Sequence, residues 1–338
     1  MNLKRAIGAS LTCAIVWVVA SGCSSAEDSA QASPTEGRDE TPSGHTERTA
    51  IPSAGANSAP TGAAPAPVAA TLASASPPEP RAYSFGTCPV LAEGENAIQS
   101  GALGRTISIV LPPNPEGAGL VFGWHGLGDS PANFSARMDA KQKAIDGNVI
   151  VVIPKAATEI MGGLPPTWGF IGSADNDLAL FDDVLACASK QWSLDRSRVY
   201  TTGFSAGGLW STYLVMHRSE YLAAATIFSG GASDEGGFAP QFAKPARAVP
   251  VLAVSGGDGD MFMNGILQFQ QLTDNLVTRL KEGGSFVIAC NHGQGHSVPS
   301  GASKWAFQFL YANKWDQTDI SLRATPNAPP FPSYCKWP

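Results

Sequence analysis

The segment Gly203-Phe-Ser-Ala-Gly207 places a nucleophilic side chain between two glycines at fixed spacing. It matches the pattern G-x-S-x-G, and it stands between an apolar run and a helical pattern, as this motif requires. A sharp strand-to-helix turn at the motif would expose the Ser205 hydroxyl, and its glycines would let strand and helix approach closely. The start of the helix would add oriented N–H groups and positive potential. The motif therefore predicts a nucleophilic serine, and its context disfavours a chance Gly/Ser turn.

A serine nucleophile needs a base, and imidazole titrates near neutral pH. His45 lies in a polar N-terminal segment, His125 comes too early for the serine–acid–histidine order of this motif, and His217 lies late in a helix. His292 and His296 remain, both after the last predicted strand. His296 is the better candidate because it follows a glycine and lies close to the final predicted helix.

An acid is expected after the strand predicted at 249–255, where it would hold the imidazole in one tautomer. Asp258 and Asp260 both follow this strand. Asp260 is favoured because it stands three residues after Gly257, the spacing usual at this turn, and the other aspartate would then shape the turn. Asp234, after the preceding strand, is the third candidate.

The segment Trp124-His-Gly-Leu-Gly-Asp129 follows the strand that supplies an oxyanion donor in such sites. The backbone N–H groups of Leu127 and Ala206 are therefore predicted to face the developing oxyanion. His125 is expected to fix this loop rather than to act as a catalyst.

Aromatic side chains near these motifs are candidates for binding an acyl or aryl group, since ligand pockets are mostly apolar. The candidates are Trp124, Trp168, Phe204 and Phe262. Large aromatic residues more often pack in a core. Trp168 is preferred because it lies on a Pro/Gly-rich loop.

Short apolar runs alternate with amphipathic runs from Phe85 onward. Strands are predicted at 106–111, 120–124, 149–153, 198–202, 223–228, 249–255 and 285–289, and helices at 132–145, 178–191, 206–216, 266–281 and 303–312. Continuous apolar strands alternating with helices predict an α/β domain over 83–338, with a mostly parallel central sheet and helices on both faces.

The N-terminal part has the composition of an exported protein. Residues 1–22 contain a basic start, an apolar run and small residues, as in a secretory signal peptide. The small residues before Cys23 resemble a lipobox, in which this cysteine is acylated and anchors the chain to a membrane. Cleavage to a soluble secreted protein is the alternative. Residues 23–82 are rich in Ser, Ala and Pro and are predicted to form a disordered tether.

Four cysteines remain in the predicted domain, an even number that indicates two disulfides in an exported protein. Three pairings are possible, and Cys88–Cys335 with Cys187–Cys290 is favoured because it would join the two ends of the domain. The formal net charge of −6, with no basic block, argues against a nucleic-acid partner.

Together, these motifs over residues 83–338 resemble the polyhydroxybutyrate depolymerase-type esterases, a group that includes feruloyl and acetylxylan esterases. The resemblance implies an α/β-hydrolase fold, the triad Ser205, Asp260 and His296, and oxyanion donors at Leu127 and Ala206. It implies an ester substrate, polymeric or derived from a plant polysaccharide, and no cofactor or metal. One departure concerns the acid: many members carry histidine before the glycine at this turn, where this chain has Ser255.

Three other functions fit parts of the pattern. A serine peptidase would use the same triad on the same fold. A metal site could combine His292 and His296 with the two aspartates, but their loop spacing lacks the H-E-x-x-H pattern. A surface binding module with a silent triad is the third, and the intact serine, acid and histidine argue against it.

Overall fold

The computed structural model describes residues 76–159, 164–318 and 331–337. The predicted signal peptide, the predicted acylation site Cys23 and residues 24–75 of the predicted tether lie outside these ranges. Within them, no helix is both long enough and apolar enough to span a membrane.

A nine-stranded sheet forms the centre of the domain. Its strands, in chain order, are β1 (Gly94–Ser100), β2 (Leu103–Val110), β3 (Gly119–Trp124), β4 (Val149–Pro154), β5 (Val199–Phe204), β6 (Ala224–Phe228), β7 (Val251–Ser255), β10 (Val287–Asn291) and β13 (Cys335–Lys336). Two short hairpins lie between these strands in the chain: β8 (Met261–Phe262) with β9 (Leu267–Gln268) between β7 and β10, and β11 (Asn313–Lys314) with β12 (Gln317–Thr318) between β10 and β13. The spatial order is β1-β2-β4-β3-β5-β6-β7-β10-β13. The six strands from β4 to β10 are parallel, while β1, β2 and β13 pair antiparallel at the two edges.

In the part of the chain that the structure describes, six α-helices cover the two faces of this sheet. They are α1 (Pro131–Arg137), α2 (Ala140–Gly147), α3 (Asp175–Trp192), α4 (Ala206–His217), α5 (Phe269–Glu282) and α6 (Ala302–Tyr311). Most buried apolar residues of α3, α4 and α5 belong to one core cluster, and those of α1, α2 and α6 to another on the opposite face, while Leu209 of α4 and Phe269 of α5 belong to a small third cluster. The central strands β3 to β7 are buried along their whole length except at Phe204, the half-buried last residue of β5, as expected for a sheet covered on both sides.

This architecture confirms the predicted fold class. Two predicted helices differ from the observed ones, and the edge strands β1 and β13 and the β8–β9 hairpin were not predicted. The helix predicted at 132–145 is two helices, because Asp139 adopts a left-handed conformation with φ of 52°. The helix predicted at 266–281 begins only at Phe269, and the residues before it belong to the β8–β9 hairpin. In both helices the apolar spacing in the sequence continues across a turn, so the spacing alone predicted a longer helix than the structure has.

The predicted disulfide pairing is wrong. The bonds are Cys88–Cys187 and Cys290–Cys335. The second follows from strand pairing, because Cys290 of β10 lies directly opposite Cys335 of β13 with 3.9 Å between their Cα atoms. The first fixes the segment before β1 to α3. Each bond therefore fastens one edge of the domain rather than joining its two ends.

The last residues of the predicted tether contact this domain. Within 76–82, the Pro78 carbonyl accepts a hydrogen bond from Arg196 at 2.9 Å, and Arg81 lies 3.4 Å from the Asp182 carboxylate. This end of the tether is therefore fixed to the surface of the domain.

Candidate active site

Ser205 occupies the turn between β5 and α4. Its backbone has φ of 58° and ψ of −123°, a conformation that L-residues rarely adopt. Cβ atoms at the neighbouring glycines would collide with backbone: at Gly203 with the Gly207 oxygen at 2.1 Å, and at Gly207 with the Trp124 oxygen at 1.9 Å. The two glycines are thus required by close approach of strand and helix, as their spacing in the sequence indicated.

His296 joins Ser205 to an acid through its two ring nitrogens. Its Nε2 lies 2.8 Å from the Ser205 Oγ, and its Nδ1 lies 2.7 Å from the Asp260 Oδ1. A carboxylate only accepts, so Nδ1–H donates to Asp260 and the Nε2 lone pair faces the serine hydroxyl. The structure therefore brings together the three side chains that the sequence selected, in the order Ser205, His296 and Asp260.

Asp260, rather than Asp258, is the aspartate that contacts the imidazole. Its side chain is buried, whereas Asp258 is exposed. The second oxygen of Asp260 accepts hydrogen bonds from the Ser229 hydroxyl at 2.9 Å and the Gly256 N–H at 2.8 Å. Ser229, which directly follows β6, was not among the predicted site residues. The only signal for it in the sequence is its position at the carboxyl end of a predicted strand.

The imidazole of His296 lies between two aromatic rings. The Phe269 ring stacks on it with centroids 4.5 Å apart and an angle of 19° between the planes. The Phe204 ring lies 4.9 Å away at 31°. Phe204, predicted to bind substrate, therefore packs against His296. Phe269 lies near the start of a predicted helix and was not among the predicted site residues.

The two predicted oxyanion residues lie beside the nucleophile. Leu127 and Ala206 both line the pocket that opens at Ser205. Ala206 is the first residue of α4, so its N–H is one of the helix-end donors that have no partner within the helix. Gly126 comes so close that a Cβ there would lie 3.4 Å from the Ser205 Cβ.

His125 fixes the turn that carries Leu127. It is buried, its Nε2 accepts a hydrogen bond from the Ala156 N–H at 3.2 Å, and its Nδ1 lies 2.8 Å from the Gly126 oxygen. Burial lowers the pKa of this imidazole below its ordinary value. The expectation that His125 shapes the loop agrees with these contacts.

Trp124 and Trp168 do not reach the pocket, which corrects their prediction as substrate-binding residues. Both side chains are 0% exposed. The rings meet edge to face with centroids 4.9 Å apart, and the Trp168 Nε1 donates to the His125 carbonyl at 2.9 Å. Trp168 lies on a Pro/Gly-rich loop, but that loop folds inward. The Trp168 indole therefore supports the turn that carries His125 and Leu127.

The pocket at Ser205 is almost entirely apolar. Its walls come from α4, from the loop between β4 and α3, from the segment after β6 and from the β8–β9 hairpin with the start of α5: Leu209, Leu164, Thr167, Phe170, Ile171, Phe238, Phe262, Met263, Leu267 and Phe269. Phe262 was a sequence candidate. The other wall residues were missed, because they lie in loops and hairpins whose folding the periodicity does not specify.

One protein family matches the part of the chain that forms most of the sheet and contains the site. The phospholipase/carboxylesterase family matches residues 105–314, which include Ser205, Asp260 and His296. This chain belongs to the phospholipase/carboxylesterase family. The α/β-hydrolase fold predicted from the motifs is thereby confirmed for this carboxylesterase-family chain.

Two curated proteins share sequence with this member of the phospholipase/carboxylesterase family. A bifunctional acetylxylan esterase/xylanase of Neocallimastix patriciarum is 26% identical over 174 residues, which are 50% of this chain and 23% of that protein. A probable feruloyl esterase C of Aspergillus terreus (strain NIH 2624 / FGSC A1156) is 29% identical over 147 residues, 41% of this chain and 51% of that protein. The chain thus spans about a quarter and about half of these relatives. They confirm its resemblance to acetylxylan and feruloyl esterases.

Solved structures agree on the fold. Native sOPH has a TM-score of 0.59 at 19% identity and covers 75% of this chain and 96% of its own. Native pOPH has a TM-score of 0.59 at 18% identity, with coverage of 74% and 96%. At these identities the likeness supports the α/β-hydrolase architecture alone.

The remaining candidates of this carboxylesterase-family chain make no hydrogen bond with Ser205, His296 or Asp260 among the described contacts. His217 stacks on Tyr213 at the far end of α4, and Asp234 pairs with Arg279 at the surface. His292 is half-buried on the loop before His296, where its Nδ1 accepts the Gln294 N–H at 3.2 Å. Among the described residues, no three His, Cys, Asp or Glu side chains are grouped to hold a metal ion.

Proposed function

We propose that this chain is an exported serine carboxylic ester hydrolase that acts through an acyl-enzyme. The observation that carries the proposal is the hydrogen-bonded series from Asp260 through His296 to Ser205, beside an apolar pocket. Family membership supports ester hydrolysis, and the names of the curated relatives support an acetyl or feruloyl ester. The motif resemblance adds a hydroxybutyrate-type ester, so the proposed substrate is one of these three, polymeric or from a plant polysaccharide.

In the first step, the Ser205 Oγ attacks the ester carbonyl carbon while the His296 Nε2 takes its proton. The carbonyl oxygen becomes an oxyanion that accepts hydrogen bonds from the N–H groups of Leu127 and Ala206. The carbon–oxygen bond to the alcohol then breaks, and the imidazolium returns the proton to the departing oxygen. Asp260 stabilises the imidazolium and keeps the ring in the productive tautomer.

In the second step, water attacks the acyl-enzyme carbonyl. His296 takes a proton from this water and then gives it to the Ser205 oxygen as the acid leaves. Both steps use the same nitrogen, which lies 2.8 Å from the nucleophile, so the enzyme needs one base only. The peptidase alternative shares this chemistry and differs in the leaving group.

Substitution of the nucleophile tests the proposal. We expect Ser205→Ala to lower kcat for p-nitrophenyl acetate and butyrate by about 10⁴–10⁶-fold, since removal of a triad nucleophile has effects of this size. The exposed Ser300 offers a matched control, and Ser300→Ala should retain full activity. Circular dichroism and thermal unfolding of both variants would show that the fold is intact.

A fluorophosphonate probe tests the covalent intermediate. We expect one adduct on the tryptic peptide that carries Ser205 in the unchanged protein and in Ser300→Ala, and none in Ser205→Ala. Hydrolysis that persists in Ser205→Ala, or an adduct at another serine, would refute the assignment. A fluorogenic peptide panel beside the ester panel separates esterase from peptidase.

Export is the remaining part of the proposal. Two disulfides fit an oxidising compartment, which supports the reading of residues 1–22 as a signal peptide. Cys23 as a lipid-modified N-terminus would attach the enzyme to a membrane, with the tether between anchor and catalytic domain.

A further inference from the structure

The pocket at Ser205 narrows from an exposed mouth to a buried floor. Phe238 and Met263 at its mouth are 51% and 40% exposed, whereas Leu209 and Phe269 are each 1% exposed. Phe262 and Leu267 are half-buried between them. Leu209 and Phe269 also pack together as a small core cluster of their own. The floor is therefore formed by tightly packed side chains rather than by an open channel.

The enclosed space lies on the acyl side of the ester. The pocket is lined by Ser205 and by the proposed oxyanion residues Leu127 and Ala206, but not by His296. A leaving alcohol must lie next to the His296 Nε2, because this nitrogen returns the proton to it. With the alcohol on that side, the group that enters the pocket is the acyl chain.

The cavity volume sets the size of that chain. The pocket encloses about 50 Å³. At about 10–15 Å³ for each water-sized group, this space accepts about three to five such groups. A chain of two or three carbons beyond the carbonyl fills it, whereas an aryl-propenoyl group such as feruloyl exceeds it.

The residues that line the pocket also disfavour a charged acyl group. Thr167 and Ser205 supply hydroxyls, and every other residue that lines this pocket is apolar. Among the described residues that line it, none carries a charge that could pair with a carboxylate or an ammonium group inside it, and burial of an unpaired charge is strongly unfavourable.

Resting on the proposed function, we infer that the enzyme is selective for short, uncharged acyl groups of up to about four carbons, with Leu209 and Phe262 as the residues that set this limit. Leu209 closes the floor one helical turn after the nucleophile, and Phe262 narrows the wall above it. Phe269 also contributes to the floor, but it stacks on His296 and so serves catalysis as well.

A series of p-nitrophenyl esters with one leaving group tests this selectivity. We expect kcat/KM to be highest for acetate to butyrate and at least about tenfold lower for octanoate, because methylenes that a pocket cannot accept cost about tenfold or more. The ferulate ester and mono-p-nitrophenyl succinate should each react at least about a hundredfold more slowly than butyrate, the first for size and the second for charge.

Two variants test the residues that set the limit. Leu209→Ala and Phe262→Ala should each raise the octanoate-to-butyrate ratio of kcat/KM at least about tenfold while the butyrate rate changes less. Phe85→Ala, which removes a 48% exposed ring on the N-terminal segment, is the matched control and should leave the ratio unchanged. If Leu209→Ala does not fold, Phe262→Ala decides the question, since its half-buried ring lies nearer the mouth.

The outcomes separate this inference from the proposed function. Hydrolysis that depends on Ser205 but is as fast for octanoate or ferulate as for butyrate overturns the acyl limit and leaves the esterase proposal standing. An unchanged ratio in a folded Leu209→Ala or Phe262→Ala overturns the role of that residue. Absence of hydrolysis across the whole series overturns both.

Discussion

The hydrogen bonds around His125 fix its protonation state. The Ala156 N–H can only donate, so the His125 Nε2 must be unprotonated, and Nδ1 then carries the proton and donates to the Gly126 carbonyl. A protonated ring would lose the bond from Ala156. This requirement agrees with burial, which lowers the pKa of His125 below 6.5. The neutral ring therefore holds the turn that places Leu127 beside Ser205.

Removal of this ring should affect catalysis more than binding. We expect His125→Ala to lower kcat about 10- to 100-fold with KM within threefold, because misalignment of one oxyanion donor removes part of its transition-state effect. His217→Ala is the matched control, since that ring lies at the far end of α4 and its pKa is also lowered by burial. An unchanged kcat in a folded His125→Ala would contradict this role.

The same two rings predict the pH dependence of stability. As pH falls below about 6.5, the unfolded chain binds protons that the buried neutral rings exclude, so the free energy of unfolding decreases. Each variant should therefore flatten the decline between pH 7 and pH 5, as measured by urea unfolding.

Single residues were predictable where chemistry restricts the choice. Ser205 follows from a motif with steric demands, and His296 from elimination among five histidines. Trp124 and Trp168 were misplaced because residue type alone does not tell whether an indole faces a pocket or a core. Ser229 was missed since a hydroxyl after a strand has no distinctive pattern.

Among the elements, the loop between β4 and α3 depends on a buried ion pair. Arg105 of β2 lies 2.6 Å from Asp177 of α3, and both side chains are 0% exposed. Asp177 also accepts hydrogen bonds from the Thr158 hydroxyl at 2.8 Å and the Gly169 N–H at 2.7 Å. One carboxylate thus holds both ends of the loop that supplies Trp168 and part of the pocket wall.

Loss of the Asp177 carboxylate should lower the free energy of unfolding. We expect Asp177→Ala to reduce the free energy of unfolding by about 3–5 kcal/mol, because it leaves a buried guanidinium without its partner. The exposed pair of Asp234 and Arg279 provides the control, and Asp234→Ala should cost at most about 1 kcal/mol. Equal, small losses in urea unfolding would show that the buried pair does not hold the loop.

The elements were predictable where periodicity is strong. The buried strands β3 to β7 and the long helices α3 and α4 were found within a few residues, since apolar runs and helical spacing follow directly from burial. The edge strands β1 and β13 and the β8–β9 hairpin were missed. Their residues alternate weakly, and their pairing depends on distant parts of the chain, as in the bond between Cys290 and Cys335.

At the scale of the whole molecule, the proposed lipid anchor at Cys23 predicts that membrane attachment can be removed without loss of catalysis. In an expressing bacterium, we expect the unchanged chain to appear in the membrane fraction and to incorporate labelled palmitate. Cys23→Ala should lack the label and leave the membrane, because acyl chains supply the binding free energy through buried methylenes. Its kcat/KM for p-nitrophenyl butyrate should be unchanged, since Ser205, His296 and Asp260 are far from Cys23 in the sequence and belong to the predicted catalytic domain. Cys13→Ala is the matched control: it removes a thiol from the predicted signal peptide and should retain the label. Release of the unchanged chain without lipid, with a mature N-terminus produced by ordinary cleavage, would contradict the anchor and leave the esterase proposal intact.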